Sequence, residues 1–183
     1  SVLEILEYRG NSRLIEYTPS SGKSKVIMDG LVFANGVAVS HDQASVLVNE
    51  TGNYRVLRYW LGGPRSGQVD IVIDNLPGFP DNISAARNGG YYVGLASPRS
   101  SAVDKLADSP FLRKIVQRLP KLLRPQGQAY GHLIKISERG EIELSLQDPT
   151  GAFPFTTGAI ETDEELYISS LTATAVGVLG LKE

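Results

Sequence analysis

Short runs that partly alternate apolar and polar residues recur along the chain. Arg13-Leu-Ile-Glu-Tyr17 returns 42 positions later as Arg55-Val-Leu-Arg-Tyr59, and again as His132-Leu-Ile-Lys-Ile136. Such alternation predicts half-buried strands. A glycine turn follows each run, at Ser21-Gly22, Ser66-Gly67 and Arg139-Gly140. Second strands are predicted over 25–28, 69–73 and 142–146, third strands over 36–40, 82–85 and 158–160, and fourth strands over 45–49, 91–95 and 165–169. Four strands per unit, repeating about every 40–50 residues, predict the blades of a β-propeller. The expected fold class is therefore all-β: about three blades, with 1–8 as the tail of an earlier blade and 176–181 as the opening strand of another. A propeller ring takes at least four blades. The chain, 1–183, is thus expected to be a single propeller portion. Its ring is closed either by a missing N-terminal propeller half or by a second chain.

The second and third copies of the run are 77 positions apart instead of 42, and the excess matches a segment of different composition. Between Pro98 and Pro125 lie seven basic residues (Arg99, Lys105, Arg113, Lys114, Arg118, Lys121, Arg124) and two acids (Asp104, Asp108). The segment carries +5 of a total of −2, so the rest of the chain carries −7. Residues 98–130 are read as a basic helical insertion between blades. Phe111, Ile115, Leu119 and Leu122 form a helical stripe, with Ser109-Pro110 at its start. Pro120 is expected to kink or end the helix. Three roles stay open for 109–124: contact with an anionic membrane surface, a lid over the propeller mouth, or a helix packed on the propeller top.

Composition narrows the classes. In 183 residues, 42% are hydrophobic and 21% charged, which excludes disorder and collagen. No apolar run is long enough for a membrane span, and the residues from Ser1 lack the pattern of a signal peptide. A net charge of −2 argues against nucleic acid as the main partner. With no cysteine, disulfides, thiolate metal sites and cysteine nucleophiles are excluded. The compartment stays open, membrane-associated and exported being the two options considered.

Two loops occupy the same place in successive copies, Phe33-Ala-Asn-Gly-Val-Ala-Val-Ser40 and Phe79-Pro-Asp-Asn-Ile-Ser84. Asn35, Asp81 and Asn82 would converge near the propeller axis. Oxygen-only donors with one carboxylate suit a hard cation such as Ca²⁺ rather than zinc. The same residues are also ordinary turn formers that satisfy local backbone groups.

Leu31–Ser40 (LVFANGVAVS), Arg55–Trp60 (RVLRYW), Leu76–Ile83 (LPGFPDNI) and Glu165–Ser169 (ELYIS) together resemble the strictosidine synthase-like family. That family is a branch of the six-bladed propellers that include paraoxonases and gluconolactonases, and the resemblance covers its C-terminal half. It implies that Asn35, Asp81 and Asn82 are calcium ligands, as in the calcium-dependent relatives. Strictosidine synthases themselves are not calcium enzymes. They use a glutamate just before a strand of the last matched blade, where this chain has Thr157. A threonine cannot shuttle the proton their condensation requires, so that activity is not expected. Paraoxonases use a histidine where this chain has Ala96.

His41, in Ser40-His-Asp-Gln, reads as a solvated surface residue. His132 opens a predicted first strand and is the candidate general base, with packing beside the insertion as its other role. Glu50 reads as a turn cap. A triad of Ser97, His132 and an Asp has no supporting G-x-S-x-G motif. The expected function is a calcium-dependent hydrolase of lactones or esters acting on a small-molecule substrate. The alternative is a non-catalytic module that binds a small molecule or sits at a membrane.

Overall fold

The computed structural model describes residues 7–101, 104–105, 109–120 and 127–181. Among the described residues, thirteen strands are arranged in four antiparallel sheets. The first sheet pairs β1 (Ser12–Thr18) with β2 (Lys23–Leu31). The second runs in the order β3 (Ala34–Val39), β4 (Ser45–Glu50), β5 (Arg55–Trp60), β6 (Val69–Ile73). The third contains β7 (Gly78–Ala85), β8 (Tyr91–Pro98), β9 (Gly131–Ile136) and β10 (Ile142–Asp148) in that order. The fourth has β11 (Thr156–Glu161), β12 (Glu165–Ser170) and β13 (Gly177–Gly180). Each sheet is a meander, and neighbouring sheets meet along β3, β7 and β11. This is a partial β-propeller.

The strands are as expected, but the blade boundaries are not. The second and third sheets each begin with the strand predicted as third in its copy and end with the second strand of the next copy. A sequence repeat has a period but no phase. Which neighbours share hydrogen bonds is decided by the connections, and the repeat does not contain that information. Two corrections follow. The insertion joins β8 to β9, which pair with each other, so it lies inside one blade rather than between blades. His132, expected on a first strand near the axis, lies on β9, the third strand of its sheet. Residues 1–6 lie outside the described residues, and the chain from Glu7 to Asn11 is not strand.

Successive residues of a strand point to opposite faces, and here both faces are covered. Leu47, Val56, Val93, Leu95, Ile134 and Ile136 fill the layer between the second and third sheets. Val48 and Leu57, one position along, join Leu14, Met28 and Leu31 on the other side. Tyr92 and Leu133 pack with Ala159 and Leu166 toward the fourth sheet, while their neighbours Tyr91 and Ile134 face the second. Inner strands therefore read as continuous apolar runs, and alternation survives only toward the outside.

Within the insertion the chain forms helix α1 (Pro110–Arg118). On it Phe111, Leu112 and Ile115 are exposed, and Val116 is half-buried. Leu122, predicted to continue the stripe, lies outside the described residues. The insertion leaves β8 at Pro98, which pairs with Gly78 at the start of β7. Arg99 stacks over the Tyr54 ring, and Arg113 over that of Tyr8, whose hydroxyl donates to Asn53 Oδ1 at 2.5 Å. The insertion is anchored at the end of the sheets where β3 and β7 begin.

Candidate functional site

The innermost strands share an irregularity. In β3, Ala34 pairs with Glu50 and Val37 with Val48, leaving Asn35 and Gly36 opposite the single residue Asn49. In β7, Pro80 pairs with Leu95 and Ile83 with Val93, so Asp81 and Asn82 oppose Gly94 alone. In β11, Thr156 pairs with Ser170 and Gly158 with Ser169, and Thr157 is the extra residue. Each is a one-residue bulge, a device that re-aims side chains out of the alternating pattern. Three successive strands carry it at one level, on the segments Phe33-Ala-Asn-Gly36, Phe79-Pro-Asp-Asn82 and Phe155-Thr-Thr-Gly158. Phe33 and Phe155 take positive φ values of 55° and 54°. Phe79 does not, because a residue preceding proline is held extended.

Glycines set the spacing between these strands. A Cβ on Gly36 would lie 2.6 Å from both Asn82 Cα and the Asp81 carbonyl oxygen. One on Gly158 would lie 3.0 Å from Asn82 Cβ. Asn82 is thus flanked by glycines of both neighbouring sheets, and its own side chain remains exposed. Asn35 and Asp81 are half-buried. Burial pushes the Asp81 carboxyl above the usual range, and a hydrogen bond from the Asn35 side chain pulls in the opposite direction. Asn35, Asp81 and Asn82 thus lie close together where the strands of adjoining sheets meet.

The other sequence-derived candidates fare differently. Thr157 lies on the third innermost strand, its hydroxyl 2.6 Å from that of Ser169, which donates to the Gly158 carbonyl at 3.2 Å. His132 is buried, with Nε2 3.1 Å from Ser145 Oγ, and burial lowers its pKa. Ser97 Oγ instead accepts from Gln128 N at 3.1 Å. Ser97 and His132 therefore have separate partners, and no triad is assembled from them.

Two further readings are extended. His41 is exposed, as expected of a surface residue, but its ring is held: Nδ1 is 2.7 Å from Glu138 Oε1 and Nε2 2.7 Å from the Ala86 carbonyl. Both partners can only accept, so this setting favours the doubly protonated ring. The Ala86 carbonyl and then the Glu138 carboxylate raise its pKa. Glu50 is more than a turn cap. It is 1% exposed and accepts from Val32 N and Asn53 Nδ2, each at 2.8 Å, and from Arg55 Nε at 2.5 Å.

Sequence reasoning missed Asn49 and Thr51. Asn49 Nδ2 donates to the Asp81 carbonyl at 2.8 Å, and Thr51 Oγ1 to the Pro80 carbonyl at 2.5 Å. Both bonds cross from one sheet to the next and fix the backbone at the site. The available signal was the run Asn49-Glu50-Thr51, polar residues closing an apolar strand.

Among the described residues no group of three or more His, Cys, Asp or Glu is placed to hold a metal. The donors at this site are amide and hydroxyl oxygens around one carboxylate, a set that fits a hard cation and not zinc or copper. The fit extends to a buried, unpartnered oxygen, Asn49 Oδ1.

A partial propeller with a polar, bulged centre defines the class of protein. The family model described as strictosidine synthase matches residues 1–64. Over 179 residues the chain is 35% identical to the adipocyte plasma membrane-associated protein of Bos taurus, covering 94% of this chain and 43% of that protein. It is 37% identical over 186 residues to protein strictosidine synthase-like 10 of Arabidopsis thaliana, covering 97% and 49%. The chain belongs to the strictosidine synthase-like family, and it spans about half the length of these curated relatives. Solved structures sharing the fold include a gluconolactonase from Xanthomonas campestris (TM-score 0.59, 16% identity, 93% of this chain and 50% of that one). A calcium-binding regucalcin from Agrobacterium tumefaciens aligns with TM-score 0.57 and 14% identity, over 91% and 47% of the two chains.

Proposed function

We propose that the chain forms part of a hydrolase of lactones or esters whose site holds a calcium ion at Asn35, Asp81 and Asn82. The observation that carries this reading is the bulge repeated on β3, β7 and β11, which supports a shared site for Asn35, Asp81 and Asn82 where these strands adjoin. The gluconolactonase and regucalcin of the same fold support the direction. A hard cation, when bound, supplies Lewis-acid polarisation of the substrate carbonyl. The residues of this chain do the rest. Asp81 supplies the compensating charge, Asn35 and Asn82 orient it, and the paired hydroxyls of Thr157 and Ser169 accept or donate to a polar group of the substrate. Thr157 stands in place of the strictosidine synthase glutamate and offers no proton-shuttling carboxylate.

The test is metal analysis and calcium titration of the full-length protein, beside an Asp81→Asn variant, followed by a panel of lactones and esters. Stoichiometric calcium in the wild type, lost in the variant, is the expected outcome. Because burial raises the Asp81 pKa, protons compete with the cation above the usual carboxylate range, and affinity falls as pH drops through that raised value. Wild-type protein that takes up no metal sinks the calcium-hydrolase reading.

One observation favours the alternative, a non-catalytic module that binds a small molecule or a membrane. His132, the proposed base, is buried against Ser145 on a third strand. What supports a membrane contact is α1, where exposed Phe111, Leu112 and Ile115 lie beside exposed Lys114 and Arg118.

A further inference from the structure

Asn49 is completely buried, on β4, opposite the Asn35–Gly36 bulge. Its amide group has a determined orientation. Nδ2 donates to the Asp81 carbonyl, and a carbonyl can only accept, so the nitrogen must face Asp81, and Oδ1 is the other arm of the same planar amide. That Oδ1 makes no hydrogen bond among the described residues. Buried amide oxygens are rarely left without a partner, and each exception calls for an explanation.

Thr51 provides the contrast. It also crosses to β7, holding the Pro80 carbonyl as Asn49 holds that of Asp81. Anchoring the β7 backbone therefore needs only a donor, and a hydroxyl is enough. An amide at position 49 adds an acceptor, and that acceptor is the atom left over. It lies on the strand next to Asn35 and is bonded through its own nitrogen to the residue that supplies the carboxylate.

We infer that Asn49 Oδ1 is a further oxygen donor to the cation proposed at Asn35, Asp81 and Asn82. The inference rests on that reading of the site. Calcium takes six to eight oxygens, so a neutral amide oxygen adds a ligand without adding charge. The donor and acceptor halves of one planar group then do separate jobs. Nδ2 holds the Asp81 backbone, and Oδ1 faces the ion.

The experiment is isothermal titration of the full-length protein with calcium chloride, for wild type, Asn49→Ala, Asn49→Asp and Thr51→Val. Thermal melts in chelator report folding independently of the ion. Asn49→Ala is expected to weaken calcium by at least about tenfold. Asn49→Asp keeps an oxygen while losing the amide donor, and is expected to bind at least as tightly as wild type. Thr51→Val, which removes a β7 anchor but no spare oxygen, is expected to bind within about threefold of wild type, on the usual scale of a single lost neutral hydrogen bond. A purely structural role predicts no such difference, because Asn49→Asp would then be as weak as Asn49→Ala. If Asn49→Ala melts too low to titrate, Asn49→Asp decides alone, and binding weaker than wild type overturns the assignment. Wild-type binding with Asn49→Ala unaffected removes Asn49 only. Wild-type protein that binds no calcium removes the metal site and this assignment together.

Discussion

At the residue scale, the buried polar groups cluster where β4 ends. Asn49, Glu50 and Thr51 are consecutive, each almost wholly buried, and each has a different task. Asn49 and Thr51 reach across to β7, whereas Glu50 turns back to gather Val32, Asn53 and Arg55 within its own part of the fold. Removing one member of a buried ion pair leaves the remaining donors unmatched and costs about 3–5 kcal/mol. Arg55 is 31% exposed and can recover some hydration, so Glu50→Ala is expected at the lower end of that range. Urea denaturation of the full-length protein measures it, and a loss below about 1 kcal/mol, the scale of one ordinary hydrogen bond, contradicts the role given to this carboxylate. The polar run Asn49-Glu50-Thr51 stands out in the sequence, but nothing in it names the partners of Glu50. Its partners come from before β3, from the turn after β4 and from β5, and only folding brings them together.

At the scale of elements, two histidines carry opposite pH responses. His41, in the β3–β4 turn, reaches Glu138 in the β9–β10 turn of the next sheet, where Arg58 of β5 and the Tyr91 hydroxyl also meet the same carboxylate at 3.0 Å. Asp42 beside it adds to the field that raises the His41 pKa. A raised folded-state value means that the stabilisation is fully present below the unfolded value of about 6.5 and is lost as pH rises through the folded one. His132 has its pKa lowered by burial. Its neutral form is favoured by folding, so it costs stability as pH falls below about 6.5. His41→Gln is therefore expected to lower the melting temperature more at about pH 5.5 than at about pH 8.5, and His132→Gln to make melting less acid-sensitive. Melting curves across that range check both. Equal effects of His41→Gln at the two pH values would contradict the inter-sheet clamp. The turn in Ser40-His-Asp-Gln was legible from its residue types, but the carbonyl and carboxylate that hold the ring lie on another sheet.

At the scale of the molecule, charge is concentrated where the insertion sits. The basic segment leaves and rejoins the sheets at the end that carries Asn35 and Asp81, where Arg99 and Arg113 stack on Tyr54 and Tyr8. If α1 contacts an anionic bilayer, Lys114 and Arg118 each contribute about 1 kcal/mol. Replacing both with Gln then lowers partitioning onto phosphatidylserine-containing vesicles roughly thirtyfold, and added salt weakens the wild type. Co-sedimentation with such vesicles decides between outcomes, since equal binding by both proteins removes the membrane role. Val37 and Val39 at one side of the described sheets, and Ile160 and Val178 at the other, are exposed apolar strand residues. We propose that further blades of a ring, in the same polypeptide or a second chain, cover them.

Much of this was present in the order of amino acids. Strand-length apolar runs with a recurring spacing and glycine turns determine that the chain makes propeller blades, because strand period and turn chemistry are local properties. Local patterning also determined the helix in the insertion, and the paired FANG and FPDN loops led to Asn35, Asp81 and Asn82. Tertiary structure decided the rest. The phase of the blades, the placement of the insertion within a sheet, and the bulges shared by three inner strands depend on which strands hydrogen-bond. Asn49, Thr51, Glu50 and His41 acquire their roles only from partners on distant segments. Burial on both faces of the inner strands also removes the alternation that would have shown which residues look inward. Pairing between distant residues is a property of the folded backbone, and a repeat read along one dimension does not contain it.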